Sequence, residues 1–132
     1  MMDNKLMVVP QSHVCFAWDN DGANALGGAL GRSDWECTPS QLKLMLMRGE
    51  MVLIRYGRLW AAVHPQDMPN SRVLHVYAVA GEGIGNGSIA AIADYAKAIG
   101  CQSITCAANG GAERLYSRFG FEPKYTVMER KI

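Results

Sequence analysis

Four glycines alternate with other residues from Gly81 to Gly87, and this segment constrains the possible fold more than any other part of the chain. An apolar run, Val73 to Val79, precedes it, and isoleucines and alanines follow at helical spacing as far as Gly100. The pattern predicts a strand, a tight turn and a helix in direct succession. Because glycines let backbone N–H groups at a helix start approach an anion, the turn is also a candidate phosphate site.

Taken alone, the glycine pattern is equally consistent with a structural turn that binds nothing. A dinucleotide-binding unit of the Rossmann type is excluded, since its glycine turn lies early in the chain and an acidic residue ends its next strand. Here the turn comes late, and the next strand, around Ile104, ends in Cys106-Ala107-Ala108. A Walker phosphate loop is excluded because no Gly-Lys-Ser/Thr follows.

The other apolar runs and helix signals predict one domain, residues 1–132, of the α/β (α+β) class, with helices on both faces of a sheet. The predicted strands are Lys5–Val9, Met51–Tyr56, Leu59–His64, Val73–Val79, Ser103–Ala107 and Pro123–Arg130. The predicted helices run from Ser12 towards Ala29, from Thr38 to Gly49, from the glycine segment to Gly100, and from Ala112 to Phe119, and residues 65–70 are predicted to form a loop.

Composition narrows the class of protein. Apolar residues make up 49% of the chain and charged residues 19%, which excludes a disordered protein. A formal net charge of +1 argues against general nucleic-acid binding. No apolar run is long enough to span a membrane or to form a signal-peptide core. The four cysteines form no Cys-x-x-Cys pair, so we expect no metal site and a cytoplasmic protein with reduced thiols.

A second motif follows the predicted strand around Ile104. It reads Asn-x-x-Ala-x-x-Leu-Tyr-x-x-x-Gly-Phe, with its specified residues at Asn109, Ala112, Leu115, Tyr116, Gly120 and Phe121. Together with the glycine segment, this motif resembles the C-terminal half of the GNAT acyltransferase superfamily. The resemblance covers residues 73–131, and the N-terminal half agrees with the family in the order of its elements. Compact, glycine-rich chains of this type resemble family members of phage genomes.

The resemblance implies a mixed central sheet whose middle strands splay apart, and acetyl-CoA as the co-substrate of an N-acyltransferase that acts on an amine. The pantetheine arm would lie between the splayed strands, and the pyrophosphate on the glycine segment. The residues that would bind acetyl-CoA are Val79, Ala80, Gly81, Gly83, Ile84, Gly85, Asn86 and Asn109. From the net charge and the short apolar runs we expect no nucleic-acid or membrane partner, and a homodimer or a protein partner stays open.

Two residues carry the catalytic roles that the resemblance implies. Tyr116 would act as the general acid that protonates the departing thiolate, and the alternative is a ring that only fills the core. His75 could deprotonate the amine through water, and the alternative is a histidine packed between sheet and helix. His64 is a second candidate base.

The glycine segment departs from the family pattern Gln/Arg-x-x-Gly-x-Gly/Ala. The pattern can start at Ala80 or at Glu82, and neither position holds Gln or Arg. Glu82 also places a negative charge near the expected pyrophosphate. The sequence therefore supports two hypotheses: an N-acetyltransferase, or a catalytically inactive binding or structural component, for example of a virus particle or a regulatory complex.

Overall fold

The computed structural model describes residues 5–30, 37–108 and 110–132. The strands are β1 (Leu6–Val9), β2 (Val52–Tyr56), β3 (Leu59–Met68), β4 (Ser71–Gly81) and β5 (Ser103–Cys106). The helices are a 3-10 turn (Gln11–His13), α1 (Val14–Asn20), α2 (Ala25–Leu30), α3 (Pro39–Met47), α4 (Asn86–Ala98) and α5 (Gly110–Ser117).

The five strands form one mixed sheet in the order β1-β2-β3-β4-β5. The first four strands pair antiparallel, whereas β4 and β5 are parallel. The crossover from β4 to β5 is α4, as a parallel connection requires. The predicted mixed sheet is therefore confirmed.

The prediction of a loop over residues 65–70 is wrong, because β3 and β4 stay paired as far as Met68 and Ser71. Pro65 lacks an N–H donor, which is why the sequence suggested a break there. It lies beyond the last β2–β3 pair, Val52 with Val63, so β3 has a single neighbouring strand at this point. A proline is tolerated at such an edge position.

Each face of the sheet is covered by helices, as predicted. On one face α1, α2 and α3 enclose a first core cluster that includes Leu26, Leu42 and Trp60. On the other face α4 packs on a second cluster that includes Leu74 and Ile92.

The helix predicted from Ser12 towards Ala29 is in fact a 3-10 turn and two short helices. The chain turns between α1 and α2, where Gly22 has a left-handed φ of +99°. The backbone N–H of Ala23 still bonds to the carbonyl of Ala17, and the Ala23 side chain is fully buried. The start of α3 is as predicted, because Thr38 and Gln41 cap it reciprocally.

The prediction of a final strand at Pro123–Arg130 is wrong. Residues 122–132 form no helix or strand, and all of them are exposed. The segment has strand-forming residues, but strand propensity needs a neighbouring strand to become structure. No helix in the described part of the chain is both long and apolar enough to cross a membrane.

Candidate functional site

The parallel strands β4 and β5 separate at one end. Their ladder covers only Val73–Val76 and Ser103–Cys106, and β4 continues to Gly81 without β5 beside it. A bulge marks the point of separation: Ala62 pairs with Ala78 and Val63 with Val76, so Tyr77 is an extra residue in β4. The predicted splaying of the middle strands is confirmed.

An apolar pocket lies against this opening, where β4, α4, β5 and α5 meet. The room inside it for the centre of a water-sized sphere is about 10 Å³, so it is a narrow apolar cleft. The side chains that line it are Leu59, Val76, Val79, Ile84, Ile89, Ile92, Ile104, Cys106, Tyr116 and Phe121. With one hydroxyl and one thiol among ten side chains, the pocket suits an alkyl or amide chain better than a charged group.

Tyr116 lies on α5 and is the polar group of this pocket that can donate a strong hydrogen bond. Its ring centre is 5.3 Å from that of Phe121, and the Phe121 N–H donates to the Tyr116 carbonyl at 3.2 Å. Burial, and to a smaller extent the neighbouring Cys106, raise the pKa of Tyr116. The phenol is therefore protonated at neutral pH and can give a proton to a bound group.

Cys106 is a pocket residue that the sequence did not single out. Burial raises the pKa of its thiol, so the thiolate needed for nucleophilic attack is disfavoured at neutral pH. Ile104 and Cys106 lie two residues apart in a strand and thus face the same side. This alternation was the signal that could have placed Cys106 beside Tyr116.

His75 is not in the pocket with Tyr116. Its neighbours in β4, Leu74 and Val76, pack on the α4 side, so the alternation of strand side chains directs His75 to the other face. There its Nδ1 lies 2.9 Å from Oγ1 of Thr105. His64 is paired with His75 across the strands, and its own Nδ1 lies 3.0 Å from the Glu50 carbonyl.

The glycines between β4 and α4 have different structural roles. Gly81 has a φ of +100°, and a Cβ there would lie 2.1 Å from the Arg58 carbonyl oxygen, so the fold itself requires glycine. Gly83 also has a positive φ, but a Cβ at Gly83 or Gly85 would meet nothing within 4 Å. The loop before α4 therefore leaves open space in front of its backbone.

The start of α4 is held by Ser88, which is almost completely buried. The Gly85 N–H donates to Ser88 Oγ at 2.9 Å, and that hydroxyl donates to the Gly85 carbonyl at 3.1 Å. Asn86 and Gly87 follow in the first turn, where backbone N–H groups have no partner within the helix. The positive end of the helix dipole lies here as well.

The predicted donor-binding residues do not all face the same way. Val79 and Ile84 line the pocket, and Gly83, Gly85 and Asn86 surround the start of α4. Ala80 instead packs against the first core cluster on the opposite face, so its side chain does not face the pocket. Asn109 lies outside the described residues.

Arg58, in the turn between β2 and β3, is a cation beside the glycine loop that the sequence did not single out. Its guanidinium lies 3.7 Å from the Glu82 carboxylate, and both side chains are more than 80% exposed. Its carbonyl accepts a hydrogen bond from the Glu82 N–H at 3.3 Å. No local pattern links residues 24 positions apart, so only the folded chain shows this pair.

The structure resembles solved acetyltransferases over almost its whole length. A Trypanosoma brucei acetyltransferase matches 98% of this chain and 100% of its own, with a TM-score of 0.64 and 15% identity. A predicted acetyltransferase from Clostridium acetobutylicum, crystallised with acetyl-CoA, matches 98% and 96%, with a TM-score of 0.66 and 12% identity. An aminoglycoside acetyltransferase from a soil metagenome, in complex with sisomicin, matches 98% and 96%, with a TM-score of 0.68 and 9% identity.

No protein-family profile matches the sequence, and no curated protein is significantly similar to it. The likeness therefore lies in the three-dimensional arrangement, since identities of 9–15% are too low to carry an activity across. The splayed strands, the glycine loop before α4 and the helices on both faces all agree with this structural likeness. This chain has the fold of the GNAT acetyltransferases.

Proposed function

We propose that this protein is an N-acyltransferase that uses acetyl-CoA as its acyl donor and an amine as its acceptor. The observation that carries the proposal is the opening beyond the Val76–Cys106 pair, with Tyr116 in the apolar pocket beside it. A ligand that is apolar and peptide-like at one end and anionic at the other matches this site and the loop before α4. Acyl-CoA thioesters have this composition.

Two parts of the site would hold the donor. Beyond Val76 the edge of β4 has no β5 neighbour, so its backbone around Val79 could pair with the amides of a pantetheine arm. The start of α4, with Gly83, Gly85 and Asn86, would hold the pyrophosphate through backbone N–H groups and the helix dipole. The open space in front of Gly83 and Gly85 supports this placement.

The chain's own acid for the transfer is Tyr116. As the amine nitrogen forms its bond to the acyl carbon and the carbon–sulfur bond breaks, Tyr116 would donate its phenolic proton to the departing sulfur. The raised pKa of Tyr116 keeps that proton in place at neutral pH. The amine would lose its proton to water, with His75 on the opposite face of the sheet as the candidate final acceptor.

Charge in the loop sets the expected affinity. Glu82 lies where it would repel a pyrophosphate, and Arg58 partly offsets it at 3.7 Å. At Ala80, one of the two positions where the family pattern has Gln or Arg, the side chain packs towards the first core cluster and away from the pyrophosphate. Arg58 is therefore a cation that could take the place of the missing Gln or Arg. We therefore expect acetyl-CoA to bind, though more weakly than in a family member with the full loop pattern.

Calorimetric titration with CoA and with acetyl-CoA tests the donor site, and release of free thiol in the presence of varied amines tests the transfer. The expected result is binding of both donors and amine-dependent thiol release. Absence of binding would show that the glycine loop is only a structural turn.

The second candidate is a protein that keeps this fold without catalysis, as a binding or structural component. Glu82 in the loop and the missing Gln or Arg are the observations that favour it. It predicts no thiol release with any amine. Donor binding without turnover would support this second function over the first.

A further inference from the structure

We propose that His64 and His75 form a binding site for one divalent transition-metal ion such as Zn²⁺ or Ni²⁺. Each imidazole would bind the ion through its Nε2, and water would complete the coordination. The inference is independent of the proposed function, because it depends on the two histidines and on the groups that orient them. Ion binding and the role of His75 as a proton acceptor would exclude each other, since the ion would take the lone pair that the proton needs.

The first observation is the position of the two residues. His64 of β3 and His75 of β4 are direct partners in the antiparallel ladder, although they are 11 positions apart in the sequence. The side chains of direct partners point to the same face of the sheet, with Cβ atoms about 4.5–5.5 Å apart. Two nitrogens bound to one tetrahedral Zn²⁺ lie about 3.3 Å apart, given Zn–N bonds of about 2.0–2.1 Å. Two imidazoles at these positions can therefore reach one ion.

The second observation is that each ring is held through its Nδ1. The Nδ1 of His64 lies 3.0 Å from the Glu50 carbonyl oxygen, and the Nδ1 of His75 lies 2.9 Å from Oγ1 of Thr105. Histidines that bind metal ions commonly donate their second ring N–H to such an oxygen, which fixes the ring and its tautomer. Because a carbonyl can only accept, His64 carries its proton on Nδ1 and its lone pair on Nε2. The Thr105 hydroxyl can accept from His75 in the same way.

The third observation is the direction of these two contacts. Glu50 lies just before β2, on one side of the β3–β4 pair, whereas Thr105 lies in β5, on the other side. The Nδ1 edges of the two rings therefore face away from each other. In an imidazole, Nε2 belongs to the opposite edge of the ring from Nδ1, so the Nε2 edges of His64 and His75 face each other. Ligation of one ion by both rings requires this orientation.

The donor atoms set the class of ion and the expected affinity. Imidazole nitrogen is a preferred ligand of Zn²⁺, Ni²⁺ and Cu²⁺, whereas Mg²⁺ and Ca²⁺ prefer oxygen. Within the described residues, no group of three or more His, Cys, Asp or Glu side chains could hold a metal ion. The two half-buried histidines are therefore the anchors of the ion. With two protein ligands, we expect binding at micromolar rather than nanomolar metal concentrations.

Calorimetric titration with NiCl₂ is the first test, and the expected stoichiometry is one Ni²⁺ per chain. In His64→Ala and in His75→Ala the affinity should fall more than about tenfold, since loss of a ligand costs more than loss of a group that orients one. His13→Ala is the matched control, because it removes the third histidine, which is exposed in the 3-10 turn. No Ni²⁺ binding by the wild type, or wild-type affinity in either ligand variant, would overturn the proposal.

A second variant keeps both ligands and tests their orientation, so it serves even where a histidine variant fails to fold. Thr105→Val has nearly the same shape and removes the oxygen that holds His75. Loss of such an outer partner commonly costs about 10–100-fold in metal affinity. We expect binding about tenfold weaker with the same stoichiometry, and an unchanged circular dichroism spectrum without metal. Wild-type affinity in Thr105→Val would contradict the orientation of His75 and overturn the proposal.

NMR of the histidine rings identifies the atoms that bind the ion. In long-range ¹H–¹⁵N spectra of the wild type titrated with ZnCl₂, the Nε2 signals of His64 and His75 are expected to shift together, and those of His13 to stay. The four cysteines are free thiols and are the competing ligands for Zn²⁺. Zn²⁺ binding with unchanged affinity in the double variant His64→Ala/His75→Ala would place the ion on the thiols and overturn the proposal.

Discussion

Val76 of β4 is paired with Cys106 of β5, and this is the last pair of the parallel ladder between the two strands. One residue further, the bulge at Tyr77 shifts the alternation of β4, so that Val76 and Val79 face the same side. The ladder end, the bulge and the apolar pocket therefore coincide. Changes at Tyr116, in the glycine loop and at Arg58 can test what this arrangement does.

Tyr116→Phe is expected to lower acyl transfer about 10²–10⁴-fold, because it removes the proton donor from the pocket. The affinity for acetyl-CoA should change little, since the ring and its contact with Phe121 remain. Initial rates and calorimetric titration measure the two effects. Tyr95→Phe, at another half-buried tyrosine with a raised pKa, is the matched control. Equal rates for the wild type and Tyr116→Phe would show that Tyr116 only packs.

Gly81→Ala and Gly85→Ala are expected to separate the structural glycine from the binding one. At Gly81 a Cβ would meet the Arg58 carbonyl at a positive φ, so we expect a loss of about 2–4 kcal/mol in the free energy of unfolding.

Gly85 has an extended φ of 179° and open space around a Cβ, so alanine should change the free energy of unfolding by about 0.5 kcal/mol or less. A methyl group there would still occupy the space of a bound phosphate, and we expect about tenfold weaker CoA binding. Urea unfolding and calorimetry measure the two effects. Unchanged CoA affinity in Gly85→Ala would contradict a phosphate site at this loop.

Glu82→Gln is expected to tighten CoA binding about fivefold, and Arg58→Gln to weaken it by a similar factor, because each changes one charge beside the loop. Both side chains are highly exposed, so the free energy of unfolding should hardly change. Titration at low and high salt should show both effects shrinking as salt screens the charges. Weaker CoA binding in Glu82→Gln together with tighter CoA binding in Arg58→Gln would refute the placement of the pyrophosphate.

Stability at high pH is expected to depend on Tyr116. Its pKa is raised in the folded protein by burial, so the folded state holds the phenolic proton more tightly than the unfolded state does. The resulting stabilisation is complete below the unfolded pKa of about 10 and is lost as the pH rises through the folded pKa. In urea unfolding at alkaline pH, the wild type should lose stability more steeply than Tyr116→Phe. Parallel pH profiles would contradict burial of this hydroxyl.

Much of the fold could be predicted from local sequence patterns. The capping pair Thr38 and Gln41 predicted the start of α3, because cap and partner are three residues apart. The order of strand, glycine loop and helix from β4 to α4 could also be predicted, because it depends on residues that are close together in the sequence. The family resemblance implied that Tyr116 acts at the departing thiolate and that Val79 and Ile84 bind the donor, and in the structure these three side chains line one pocket.

The sequence by itself determined the elements that depend on neighbours along the chain: the glycine turns, the helix caps and the alternating strands. The tertiary structure alone decided which distant residues meet. It placed Arg58 beside Glu82, directed His75 away from Tyr116, extended β3 past Pro65, and left residues 122–132 without a partner strand. The physical reason is that strand pairing and charge contacts depend on long-range packing, whereas turns and caps depend on the backbone conformation of a few successive residues.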